Sequence, residues 1–135
     1  MLRIGNDRAR TRKQKPNDAS LVVRARAPAM TALLPGDAES NVLSRLPLQR
    51  VDLLKVSHHG SEDGGLEGLL ARLRPRVAVI SAGARNRFGH PRSETLESLN
   101  AAGVSVYRTD QVGSTTVAVG TGGTEITTER APRSR

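Results

Sequence analysis

Val77-Ala78-Val79-Ile80 is an uninterrupted apolar run, and it follows a segment in which Leu66, Leu69, Leu70 and Leu73 recur at i, i+3, i+4 and i+7. A strand without polar alternation needs cover on both faces, and a leucine stripe at that spacing marks an amphipathic helix that can supply it. Pro75 closes the helix, so the pair reads as a helix feeding a buried strand over Val77–Ser81. The same alternation continues elsewhere. Ala19–Ala27 and Thr31–Leu34 read as a hairpin broken at Pro28 and ending at the turn Pro35-Gly36-Asp37. Ala38–Leu46 carries Val42, Leu43 and Leu46 at helical spacing, and Val51–Val56 is a short apolar strand ending on His58. Pro91 stands where a first helical residue is expected, Leu96 and Leu99 mark the buried side, and Gly103 ends the helix. Val104–Arg108, Ser114–Val119 and Thr124–Thr128 complete the set as strands, the last two joined through Gly120–Gly123. The expectation is an α/β chain with a mixed β-sheet and flanking helices.

Composition narrows the function classes. At 135 residues the chain suits one small domain. It has no cysteine, which excludes disulfides, thiolate nucleophiles and sulfur-ligated metals. No apolar run approaches the roughly 20 residues that span a bilayer, so the isolated chain is expected to be soluble. The net charge of +8 resembles a nucleic-acid signature, but it is carried by the ends. Residues 1–16 hold Arg3, Arg8, Arg10, Arg12, Lys13 and Lys15 against Asp7, and the tail holds Arg130, Arg133 and Arg135 against Glu129. Between 17 and 128 the chain has 12 basic and 11 acidic residues, so the body is near neutral. Residues 1–15 and 129–135 read as basic flexible arms able to meet an anion by charge alone. Phe88 and Tyr107 are the only aromatic residues, which counts against a dedicated single-strand binding module.

The chemistry lies in three loops that follow expected strands. Asp37 is suited either to capping the helix after it or to bridging two divalent cations through its two oxygens. His58 and His59 are adjacent, so an extended backbone would point them to opposite sides, leaving one free to ligate a metal and the other to pack or act as acid or base. Gly60 permits an unusual turn, and Ser61 is placed to cap the helix that follows. Lys55 reads as a flanking charge with a packed stem, or as a phosphate contact. The third loop gathers Arg85, Asn86, Arg87, His90 and Arg92, an arrangement that can present an imidazole and guanidinium groups to a phosphate near a helix N-terminus. Three such loops at strand ends mark the usual ligand edge of an open α/β sheet.

The strings Leu-Leu-Pro-Gly-Asp-Ala-Glu (33–39), Asp-Leu-Leu-Lys-Val-Ser-His-His-Gly-Ser (52–61) and Ile-Ser-Ala-Gly-Ala-Arg-Asn-Arg-Phe-Gly-His-Pro (80–91) resemble successive motifs of the metallo-β-lactamase-like domain. More closely, they resemble its version at the C-terminus of the ComEC/Rec2 competence proteins, which import DNA across the bacterial membrane. Pro16–Val23 and Tyr107-Arg108-Thr109-Asp110 extend the likeness, which covers roughly residues 16–128. The resemblance implies part of an αββα sandwich with metal at one edge of the sheets. Asp37, His58 and His90 would belong to the metal site, and Asp37, His58 and His59 would form the catalytic set. Ser61, Asn86, Arg87 and His90 would contact phosphate. The implied chemistry is phosphodiester hydrolysis with Zn or Mn, degrading the DNA strand that is not imported. The implied location of the parent protein is the cell membrane.

The chain departs from that pattern. The family's first metal motif, of the His-x-His-x-Asp-His type, belongs upstream of residue 16, where there is no histidine and only Asp7. Ser57 and Pro35 stand where Pro and Thr are common. The expectation is therefore the C-terminal half of the domain, inactive or very weak alone, with an apolar sheet face that a missing N-terminal half or a second chain would cover. Two other readings stay open: a non-catalytic module binding DNA through its arms and the Arg85/Arg87/Arg92 loop, and a hydrolase of the same fold acting on a small phosphoester.

Overall fold

The computed structural model describes residues 15–131. Most of the expected arm, including Arg3, Arg8, Arg10, Arg12 and Lys13, and the tail residues Arg133 and Arg135 lie outside the described residues.

A short 3-10 turn at Pro16–Ala19 precedes strand β1 (Val23–Ala27), which pairs antiparallel with β2 (Met30–Leu34). The first expected strand thus starts four residues late, because Pro16 and the Asp18 and Ser20 backbone N–H groups close that turn on Lys15 and Asn17. Helix α1 is one turn long, Ser40–Leu43, and β3 (Leu53–Lys55) follows it. Helix α2 (Leu66–Leu73) and strand β4 (Val77–Ile80) stand as the leucine stripe and the apolar run require. Helix α3 (Ser93–Ala101), β5 (Ser105–Arg108), the short α4 (Thr109–Val112) and the hairpin β6 (Thr115–Gly120) and β7 (Gly123–Thr128) complete the chain.

The main sheet has the order β1-β2-β3-β4-β5, with β2 to β5 all parallel. It is a mixed sheet with flanking helices. In register, Leu33, Leu54, Ala78 and Val106 lie side by side on one face. Leu33, Leu54, Ala78 and Ile80 are sealed there in one cluster with Leu66, Leu69, Leu70 and Leu73 of α2 and Leu99 of α3. The opposite face carries Leu53, Lys55, Val77, Val79 and Tyr107, all only half-buried. The closing hairpin does not join the main sheet; β6 and β7 pair only with each other. Val117 and Ile126 of the hairpin line a cavity of about 430 Å³ with Met30, Leu53 and Val77. No helix among the described residues is long and apolar enough to cross a membrane.

Candidate hydrolytic site at the carboxyl ends of the parallel strands

Strands β2, β3 and β4 run parallel, so the loops leaving their carboxyl ends emerge at one edge of the sheet. Those loops carry Asp37, the His58-His59 pair and His90. The structure brings these residues together. The rings of His58 and His90 lie 5.6 Å apart between centroids, and those of His58 and His59 lie 6.5 Å apart.

The histidine pair is not extended, contrary to the expectation from sequence. His58 (φ 46°, ψ 44°) and His59 (φ 56°, ψ 20°) both occupy the left-handed region, followed by Gly60 at φ 82°. Side chains rarely adopt this conformation without compensating contacts. Here they are clear: the His58 backbone N–H donates to the Gly36 carbonyl at 3.1 Å, and Ser61 N–H donates back to the His58 carbonyl at 3.0 Å. The turn directs both rings toward the sheet edge instead of to opposite sides. Gly60 also lies against the third loop, where a Cβ would come within 2.6 Å of the Pro91 Cβ. The Gly60 carbonyl accepts the Arg92 N–H at 2.9 Å, which holds Arg92 extended as the N-cap of α3. For that reason Pro91 precedes the helix instead of opening it.

Both histidines of the pair have Nδ1 engaged. His59 Nδ1 donates to the Ser81 carbonyl at 2.7 Å, which leaves Nε2 bare and 3.8 Å from Asp37 Oδ1. A histidine anchored through one nitrogen to a backbone carbonyl is oriented to use the other as a ligand or base. His58 Nδ1 lies 2.8 Å from Glu39 Oε1, and because a carboxylate only accepts, Nδ1 carries the proton. The Asn17 amide nitrogen sits 3.3 Å from His58 Nδ1 and 3.4 Å from Nε2, and with the Nδ1 proton given to Glu39 only Nε2 offers it a lone pair. Glu39 and Asn17 were not singled out from sequence. Glu39 was within reach, since it follows Asp37 by two residues in the first motif; Asn17 was not, since its contact spans 41 residues.

Asp37 does not cap a helix. Glu39 is the N-cap of α1, and the Ser40 N–H is satisfied from a distance by Asp63 Oδ2 at 2.8 Å, with Ser40 Oγ bonded to the same carboxylate. Asp37 instead has its backbone N–H on Ser20 Oγ and its carboxylate facing His59. Lys55 donates to the Gly36 carbonyl at 3.3 Å. Burial of its stem and head pushes the ammonium below its ordinary pKa, and the nearby Asp37 carboxylate opposes that shift. His90 is also held below its ordinary value, first by desolvation and then by His58, Arg92 and His59, against a smaller opposing pull from Glu39.

The remaining predicted contacts are arranged differently. The Asn86 amide is engaged inside its own loop: Nδ2 donates to the Gly83 and His90 carbonyls, and Oδ1 accepts the His90 N–H. Its visible role is to shape the loop that presents His90. Ser61 does not cap α2, which starts at Leu66 behind Gly65; its carbonyl accepts the Thr95 hydroxyl at 2.8 Å. Arg85, Arg87 and Arg92 are exposed along the third loop.

As a metal centre the set is partial. Asp37 Oδ1 and His59 Nε2 are two convergent donors of suitable chemistry, but among the described residues no group of three or more His, Asp or Glu is arranged to hold an ion. Two donors do not retain a divalent cation tightly.

No protein-family profile matches the chain. It is 39% identical over 101 residues to ComE operon protein 3 of Bacillus subtilis, a match covering 72% of this chain and 13% of that protein. It is 37% identical over 87 residues to Recombination protein 2 of Haemophilus influenzae, covering 62% of this chain and 11% of that protein. Competence protein ComA of Neisseria gonorrhoeae is 29% identical over 112 residues, 79% of this chain and 16% of its own length. The chain therefore spans only a small part of the curated relatives it matches. On this similarity the chain belongs to the ComEC/Rec2 family of competence proteins.

Proposed function

We propose that this chain contributes part of a metal-dependent phosphodiesterase site, with DNA as its substrate, in a competence protein that takes up DNA. The observation that carries this reading is the convergence of Asp37, His58, His59 and His90 at one sheet edge, with His59 anchored so that Nε2 faces the Asp37 carboxylate. A bound Zn or Mn ion would supply a hydroxide nucleophile near neutral pH. The described residues fall short of the ligand number such an ion needs, so further ligands must come from outside them. Asp37 and His59 are then the two donors this chain offers. His58, fixed by Glu39 and Asn17, and His90, biased toward its neutral form, line the same edge and are suited to hold or move a proton. Arg85, Arg87 and Arg92 supply positive charge for a phosphodiester backbone.

In this reading the half-buried face carrying Leu53, Val77 and Val79 packs against the second sheet of a metallo-β-lactamase-like sandwich. The test is a chimera in which this chain replaces the matched segment of ComE operon protein 3. With Mn²⁺ or Zn²⁺ it is expected to cleave DNA, and Asp37→Ala or His59→Ala should lower the rate at least 100-fold. Equal cleavage by the variants would sink the proposal.

A second reading, DNA binding without catalysis, is favoured by the concentration of basic residues in 1–15 and 129–135. It predicts salt-sensitive DNA affinity that survives Asp37→Ala and falls when those segments are removed.

A further inference from the structure

Phe88 is the chain's only phenylalanine, and it is 73% exposed. A phenyl ring left in water forgoes the free energy of burial, so an exposed Phe held in a well-shaped loop marks a contact surface. This loop is well shaped. The three hydrogen bonds of the Asn86 amide, together with the Asn86 N–H donating to the Gly83 carbonyl, tie the segment from Gly83 to His90. The Phe88 ring lies 5.9 Å from the His90 ring at an interplanar angle of 30°, close to an offset stack. Its exposure leaves the rest of the ring open to solvent. His90 in turn meets His58 at 5.6 Å, so Phe88 stands two ring contacts from the centre of the cluster. Arg85 and Arg87 precede Phe88 within the same loop, both exposed.

We infer that Phe88 is a stacking platform for one unpaired DNA base, with Arg85 and Arg87 gripping the adjoining phosphates. The inference rests on the DNA-hydrolase reading above and narrows its substrate to a single strand or a frayed end. In a duplex, bases are stacked on one another and offer no free face to the ring. An exposed aromatic ring in a loop that also carries two exposed guanidinium groups matches what an unpaired nucleotide presents: a flat π-face and a charged backbone. Tyr107, the other aromatic, is half-buried in β5, so the platform serves one base and not a tract. A base seated on Phe88 brings the next phosphate of the same strand toward His90 and the Asp37–His59 pair.

The test uses binding, not cleavage. The chain contains no tryptophan, so Phe88→Trp introduces a single indole at the platform. In EDTA, an oligothymidine of eight nucleotides is expected to quench that indole as it binds. Phe88→Leu should weaken oligothymidine binding about tenfold by fluorescence anisotropy, while affinity for a blunt duplex, carried by charge, stays the same. Arg85→Ala and Arg87→Ala should each reduce the salt dependence of binding by about one phosphate contact. Because Phe88 is exposed, its variants should keep the wild-type thermal midpoint, so a binding loss is not a folding loss. Wild-type oligothymidine affinity in Phe88→Leu, or an unquenched indole at saturating oligonucleotide, would overturn the inference. Since these measurements need no metal, they stand or fall separately from the hydrolase reading.

Discussion

Glu39 shows how a single side chain sets the chemistry of its neighbour. By accepting the proton on His58 Nδ1, it selects the tautomer less favoured by a free imidazole in water and leaves Nε2 as the acceptor. Glu39→Ala is expected to return His58 largely to the Nε2–H form, read from ring nitrogen shifts in an NMR correlation spectrum. The pair is only partly exposed, so the same variant should lose about 1 kcal/mol in a urea titration. His90 gives a prediction in pH. Its pKa is depressed in the fold, so the folded state binds fewer protons than the unfolded chain as pH falls below the ordinary value of 6.5. His90 therefore disfavours folding progressively across that acidic window and contributes no penalty above it. Arg92→Ala should raise the His90 pKa and Glu39→Ala should lower it further, both followed by NMR titration. Asp37 and the three histidines were legible from their place after short apolar runs. Of their hydrogen-bond partners, Glu39 was within reach beside Asp37, whereas Ser81 and Asn17 were not, because their contacts span 22 and 41 residues.

At the scale of elements, the segments with a clear apolar pattern stand where the sequence places them, β2 and β5 among them, and the main departures are the late start of β1 and the short α1. Four leucines at helical spacing define α2, which begins at Leu66 and ends at Leu73, and four consecutive apolar residues define β4. Helix α1, expected over Ala38–Leu46, is a single turn, and its first N–H is satisfied by a remote carboxylate, Asp63, that the local sequence does not reveal. Asp63→Ala removes the acceptor for Ser40 N–H, Ser40 Oγ and Gly65 N–H, and should cost about 1–2 kcal/mol in chemical denaturation. Gly60 was recognised as a turn residue, yet the reason it must be glycine is tertiary. A methyl group there meets Pro91 and also falls in the left-handed region. Gly60→Ala is expected to destabilise by about 2 kcal/mol or more and to shift the His58 and His90 ring resonances, since it separates the two loops that carry them.

Across the whole molecule, one face of the sheet does most of the stabilising. Leu54 is 1% exposed at the centre of the cluster joining the sheet to α2 and α3, and Leu54→Ala should lose about 2–5 kcal/mol by urea unfolding. The other face is less sealed, and the closing hairpin lies over only part of it, beyond a cavity. From sequence, β6 and β7 read as a closing antiparallel hairpin, and they are one. They pair locally as that hairpin but form no ladder with the main sheet, and which edge a hairpin joins is not a local property of the chain. By itself the sequence determined the alternation of strands and helices, because periodicity of 2 or 3.6 residues is a local property of the chain. It also determined that Asp and His would gather at strand ends. Only the tertiary structure decided what those residues can do. The left-handed turn at His58-His59 is held by the Gly36 carbonyl from another loop and by the Ser61 N–H, so that both rings meet the same edge, His58 locked between Glu39 and Asn17 and His59 anchored on Ser81 with Nε2 toward Asp37.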